Sequence, residues 1–467
     1  MNFRFPLALL LTTSFLITEV SAEVKLPKVF GDHMVLQRDQ SVAIWGWAEP
    51  GEAIKITTPF ERQNLKAGEN GKWMTRLKPM EAGGPIEVKL KGTNEIVLKD
   101  VLVGDVWVCS GQSNMEWPVA ASTNAKEEIE SAKYPNIRLF DVKKTPKIDP
   151  TDDVELDAPW LACTPESVPR FSAVGYFFGR KLHQELDIPI GLISTNWGGT
   201  RIEPWTPPVG FEAVDAVKEI PKSINRENFN HGTPTTLYNG MVHGLVPFGV
   251  KGAIWYQGES NRTDGMLYYE KMKALIAGWR SVFEQPEMPF YYVQLAPYIY
   301  GNSDPEILAK LWESQVATLV VPHTGMAVTT DIANLKDIHP KNKQDVGLRL
   351  ALWALAKDYG QEIVYSGPLY KSMKVEGNKV RLFFEHAKGL KSSDDKPLTW
   401  FKIAGEDGKF VDATVTVDGD TVVVSSSDVA NPTTVHFGWH QEAEPNFVNG
   451  AGLPASPFRT DGPLATK

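Results

Sequence analysis

The chain has 467 residues, 42% of them hydrophobic and 22% charged, and carries a net charge of −9. Length and composition describe an ordinary globular protein with apolar material for about two to four domains. The acidic balance and the lack of a basic block argue against nucleic acid and anionic membrane surfaces as partners.

The first 22 residues differ from the rest. Arg4 supplies a short positive start, residues 7–17 form an apolar core, and Val20-Ser21-Ala22 offers small residues to a signal peptidase. The pattern predicts a removable export signal over residues 1–22, cleaved after Ala22, and a secreted or periplasmic mature chain. Its apolar core is too short to span a bilayer and no later stretch is long enough, so membrane insertion is not expected. Residues 23–103 then alternate in short segments at 34–37, 42–47, 53–56, 73–77, 86–90 and 96–102. Turn signals such as Pro50-Gly51 and Gly83-Gly84-Pro85 separate them, which predicts an N-terminal β-sandwich-type region.

After Gly104 the rhythm changes. Strands are predicted at 105–109, 137–140, 190–195, 252–256, 290–295 and 326–329, and helices at 173–185, 267–283, 307–320 and 341–358. Such alternation implies a parallel sheet covered on both faces, over residues 104–360. Segments 141–170 and 200–237 are rich in proline and polar residues, the composition of loops that rim a site. Short strands return in a C-terminal β region over 361–467. Export permits a disulfide, but sequence leaves the pairing of Cys109 and Cys163 open. Cys109, inside an apolar strand, reads as a buried inert thiol.

In an open parallel sheet, ligands bind beyond the carboxyl ends of the strands. The residues following the strands are Gly111-Gln112-Ser113-Asn114, then Asn196-Trp197-Gly198-Gly199, then Gln257-Gly258-Glu259, then Asp337-Ile338-His339. A hydroxyl, exposed glycine amides, a side-chain amide and an Asp/His pair thus meet on one rim. Acyl transfer needs those types: a serine needs a base, the base needs an acceptor, and the developing oxyanion needs donors. Ser113 is the candidate nucleophile and His339 the base. Asp337, two residues earlier, is the orienting acid, with Asp331 and Glu259 as alternatives. The Ser113 amide, an amide of Gly198 or Gly199, and the Gln257 side chain are candidate oxyanion donors. No H-E-x-x-H or comparable spacing suggests a metal site.

Ser110-Gly111-Gln112-Ser113-Asn114-Met115-Glu116-Trp117, Trp255-Tyr256-Gln257-Gly258-Glu259-Ser260-Asn261 and Asp337-Ile338-His339-Pro340 resemble the sialate O-acetylesterase family of the SGNH (GDSL-like) hydrolases. The likeness also takes in Met34-Val35-Leu36-Gln37 near the start and Gly452-Leu453-Pro454-Ala455-Ser456-Pro457-Phe458-Arg459 near the end. The resemblance implies an SGNH-hydrolase (flavodoxin-like) three-layer α/β core flanked by the two β regions. It also implies a Ser-His-Asp mechanism and removal of acetyl groups from sugars without a cofactor. It puts Ser113 on the nucleophile, His339 on the base, and Gly198 or Gly199 on the second-block glycine. Gln257 stands where the superfamily has asparagine, and Asp337 lies one residue nearer the histidine than usual. An exported O-acetylesterase of sialic acids or related glycans is therefore expected. Its alternatives are a deacetylase of acetylated xylan or other plant polysaccharide, and a non-catalytic carbohydrate-binding protein. Glu259, Arg201, Trp205, Trp117, Tyr238 and Asn239 are candidates for contacting the sugar.

Overall fold

The computed structural model describes residues 23–301 and 304–463, so the expected export signal lies outside the described residues. Strands β1 (Val35–Gln37), β2 (Val42–Trp47), β3 (Ala53–Thr57), β4 (Arg62–Lys66), β5 (Lys72–Leu77) and β6 (Gly83–Lys91) follow in turn. Period-two hydropathy foretells most of them, because one face of each packs inward. The exception is β4, whose only large apolar residue is Leu65, so its sequence carries no alternation to read.

Strand β7 (Glu95–Gly111) ties the molecule together. Its first half pairs antiparallel with β6, and β1 joins it in parallel at Leu102 to Gly104. Its second half enters the α/β region. The expected boundary at 103/104 thus falls inside one unbroken strand, whose residues from Val101 to Gly111 are all buried. One hydrophobic core takes in Val42, Ile56 and Leu90 from the N-terminal strands together with Trp107, Tyr176 and Trp312.

The chain continues through α1 (Ser113–Glu116), α2 (Ala125–Glu130), β8 (Tyr134–Val142), β9 (Leu156–Cys163), α3 (Ala173–Leu186) and β10 (Ile190–Asn196). Next come α4 (Pro208–Glu212), β11 (Gly252–Tyr256), α5 (Leu267–Val282), β12 (Phe290–Val293), α6 (Ile307–Ala317), β13 (Thr324–Ala327) and α7 (Lys343–Lys357). The strand order is β13-β12-β11-β7-β10-β8-β9. All neighbours are parallel except β9, which runs antiparallel along β8. The sheet is therefore mixed, where a parallel one was expected. Pro159 lies within β9, and an edge strand is where a proline does least harm. Adjacent residues of β12 show that helices cover both faces: Tyr291 meets Trp353 of α7, while Phe290 meets Trp279 of α5.

From β7 the chain lays β8, β9 and β10 on one side and then β11 on the other. That change of direction opens a crevice beyond the carboxyl end of β7. The C-terminal β region keeps a separate core, among it Val380, Leu382, Ile403, Val422 and Phe437. Cys109 and Cys163 are free and buried, and burial raises both thiol pKa values.

Candidate active site

Three strands deliver their motifs to one level. Gly111 of β7 is in register with Asn196 of β10 and with Tyr256 of β11, so the chain leaves all three strands side by side. The Ser-Gly pair that ends β7 has a steric reason. Gly111 has φ of +141°, and a Cβ there would lie 2.2 Å from the Tyr256 carbonyl oxygen. Only glycine lets β7 and β11 close up at this point. Gln112 then holds the Tyr256 carbonyl through its N–H at 2.9 Å and caps α1 in an extended conformation. Because Gln112 serves as the cap, the hydroxyl of Ser113 is released from that duty.

That hydroxyl meets a histidine. Nε2 of His339 lies 2.8 Å from Oγ of Ser113. On its other side, Nδ1 is 3.6 Å from Oδ1 of Asp337. The same Asp337 oxygen accepts the backbone N–H of His339 at 3.0 Å. Asp337 therefore reaches the imidazole by folding back over its own loop. Trp117 stacks on the imidazole at 4.8 Å and 18°, and its Nε1 donates to the Ala121 carbonyl at 2.9 Å. Asp331 is engaged elsewhere, gripped by both Arg349 nitrogens at 2.6 Å.

The candidate oxyanion donors separate. A Cβ at Gly198 would sit 3.2 Å from Cβ of Ser113, so the Gly198 turn borders that serine. The Gly198 N–H donates to the Glu116 carboxylate at 2.7 Å, and Glu116 also pairs with Lys144. Gly199 has φ of +75°, a backbone state suited to glycine, and it follows in the same turn. Gln257 is corrected: its amide is fully buried and donates to Gln112 Oε1, Asn261 Oδ1 and the Thr200 carbonyl at 3.1, 2.8 and 3.2 Å. Its own oxygen accepts the Tyr268 hydroxyl at 2.8 Å. Gln257 braces the strand ends and offers no N–H to a reacting group.

Residues 103–355 match the family described as carbohydrate esterase, sialic acid-specific acetylesterase. The chain belongs to that family. The sialate O-acetylesterase of Pongo abelii is 31% identical over 476 residues, spanning 91% of this chain and 90% of that protein. The mouse (Mus musculus) sialate O-acetylesterase is 34% identical over 410 residues, or 74% and 75% of the two chains. A crystal structure of a carbohydrate acetylesterase from Xanthomonas citri superposes with a TM-score of 0.87 at 40% identity, covering 94% of this chain and 99% of that one. As a member of this carbohydrate esterase family, the protein is an ester hydrolase.

Of the side chains expected to contact sugar, Trp117 stands at the Ser113–His339 pair of this esterase. Trp205 is buried, with Nε1 on Thr200 Oγ1, and belongs to the core. Asn239 is buried and fastens the Lys147 and Ile148 carbonyls, while burial pushes the Tyr238 hydroxyl up to about 12. Glu259 is buried and accepts from Asn114, the residue after Ser113, at 2.6 Å. Arg201 is half-buried, but Glu203 and Asp264, each at 3.0 Å, already match its charge. These five positions looked available in sequence because hydropathy cannot tell a polar group facing a cleft from one spent on the scaffold.

A cleft of about 350 Å³ opens beside Glu116, lined by Pro118, Asp141, Lys144, Asp157 and Arg170. Burial pushes the Asp141 carboxyl up to about 6, against a hydrogen bond from Ser194. At the Ser113–His339 pair, partial burial lowers the His339 pKa and the Lys343 ammonium lowers it further, while Asp337 and Glu116 pull the other way. A neutral imidazole beside a serine is the form a general base needs. Lys343, Asn114 and Glu116 were not singled out from sequence. The signal available was their place inside or just after the same motifs that carry Ser113 and His339.

Proposed function

We propose that this esterase removes acetyl groups from sialic acids or related acetylated glycans by an acyl-enzyme route through Ser113 and His339. The observation that carries the reading is the 2.8 Å contact between Ser113 Oγ and His339 Nε2. Ser113 Oγ attacks the acetyl carbonyl while His339 accepts its proton. Asp337 steadies the imidazolium from the Nδ1 side. With the Gly198 N–H held by Glu116, the oxyanion falls to the backbone amides of Ser113, at the start of α1, and Gly199. His339 then protonates the departing sugar hydroxyl, and water releases acetate in a second round.

The sheet order supports an SGNH-type core. Without the β8–β9 pair it runs β10-β7-β11-β12-β13, the 2-1-3-4-5 order of a flavodoxin-like sheet, with Ser113 at its switch point. The predicted export signal supports action outside the cytoplasm. The chain's likeness to the Pongo abelii and mouse sialate O-acetylesterases supports an acetylated sialic acid as substrate. A neutral acetylated polysaccharide is the second reading, favoured by the pairing of Arg201 with two carboxylates, which leaves that cation no charge to offer a sialic acid. Ser113→Ala tests the chemistry: turnover of a chromogenic acetyl ester should vanish in a protein that still folds, and retained turnover would refute it. Acetate release from a panel of acetylated sialic acids and xylan decides between the substrates.

A further inference from the structure

Behind the reacting pair lies a buried cation that the acyl-transfer steps do not use. Lys343 is the first residue of α7, four residues after His339, and it is fully buried. Its Nζ donates to Oδ1 of Asn114, the residue next to Ser113, and sits 5.1 Å over the Tyr256 ring of β11. Asn114 spends both amide hydrogens as well. One goes to Glu259 Oε1 at 2.6 Å, and the other to the Ile338 carbonyl at 3.0 Å. Ile338 immediately precedes His339. A single asparagine thus joins the nucleophile helix, the β11 motif and the histidine loop, and Lys343 is the donor that fixes its orientation.

We propose that Lys343 is a positioning residue for the acyl-transfer reaction, holding the His339 loop in register with Ser113 through Asn114; this rests on the reading of Ser113 and His339 given above. A fixed cation here also has an electrostatic consequence. The charged groups that act on His339 are Lys343 of α7, Asp337 of its own loop and Glu116 of α1, and those that act on Lys343 are Glu259 and Asp337. Burial pushes the ammonium down to about 7, against the pull of the two carboxylates. While protonated, it opposes a second positive charge on the imidazole. The resting base is therefore kept free to accept the serine proton.

The test is the dependence of kcat/KM on pH for acetyl ester hydrolysis. It is measured for the full chain, for Lys343→Met, and for the double variant Lys343→Met/Glu259→Gln, which leaves no buried charge behind. Both variants should lose about tenfold to a hundredfold in kcat through a misplaced base. In both, the acidic limb should move to higher pH by about half a unit or more, because the cation that opposed imidazole protonation is gone. Loss of activity with an unmoved limb would overturn the proposal, since a merely structural defect lowers the rate without changing what titrates. Failure of both variants to unfold cooperatively would overturn it too, because a positioning cation must be replaceable by an uncharged isostere without loss of the fold. Ser113→Ala, run alongside, separates the two claims: if it retains activity the acyl-enzyme reading fails, whatever the limb does.

Discussion

Two polar clusters lie beyond the same strand ends, and they are built on opposite rules. In one, Ser113, His339 and Asp337 meet in a half-exposed setting, with the imidazole hydrogen-bonded on one nitrogen and its acid 3.6 Å from the other. In the second, Glu203 and Asp264 are shared by Lys271, at 2.7 and 2.6 Å, and by Arg201, at 3.0 Å to each. Asn261 extends that network, bonding Glu203 and Asp264 and reaching Gln257. Every charge there is matched, so nothing is left to bind or react. The first cluster keeps capacity in reserve: a hydroxyl and a basic nitrogen, with the Gly199 turn following close by. A polar residue near a site becomes functional when its neighbours leave it unsaturated, and Gln257 falls on the wrong side of that line.

The largest expected effect strikes the open cluster alone. Ser113→Ala or His339→Ala should lower kcat by about 10⁴-fold or more, with the melting temperature little changed. The saturated cluster should answer the opposite way. Lys271→Met leaves two buried carboxylates to share Arg201 alone and should cost about 3–5 kcal/mol in a denaturant titration, with kcat of the folded fraction nearly intact. If that variant instead kept its stability and lost its rate, the division between the clusters would fail.

Asp337→Asn should cost less than the nucleophile or base, about tenfold to a hundredfold, because a longer and partly solvated contact is weakened by screening. The pH profiles should differ as well. The His339 pKa is lowered, so kcat/KM should rise through an acidic limb below the ordinary histidine value of about 6.5 and be flat at neutrality. Glu203 is pushed up by burial, but Lys271 and Arg201 outweigh this and bring it to about 2. Its contribution to stability is complete above the ordinary carboxylate value and is lost as pH falls toward 2. Acid should therefore silence the reaction well before it loosens the second cluster. The smallest effect belongs to Arg201→Gln, within about threefold on kcat/KM for a small acetyl ester, since Arg201 serves the scaffold. A large loss there would return it to the substrate site.

Much of this was legible in the chain. Apolar runs of β-branched and aromatic residues marked β10 and β11 to within a residue, and the 3.6-residue period marked α3, α5 and α7, because these elements bury whole faces. Strands β4 and β9 escaped for different reasons: β4 is polar almost throughout, and Pro159 interrupts β9. The boundary read at 103/104 escaped for another reason. A composition shift locates a change in neighbours, and β7 changes neighbours halfway along without ending.

The amino-acid sequence by itself determined which residues could carry the reaction. Ser113, His339 and the glycines around them follow strand ends, and strand ends are set by local hydropathy and by glycine at 111. Only the tertiary structure decided which polar groups were free to act. Gln257, Glu259, Arg201, Trp205 and Asn239 have the same chemistry whether they face a cleft or a neighbour, and burial and partners are properties of the fold. The same holds for Lys343, unremarkable four residues past a histidine in the chain. Packing alone brings it under Asn114, beside Ser113 and within electrostatic reach of His339.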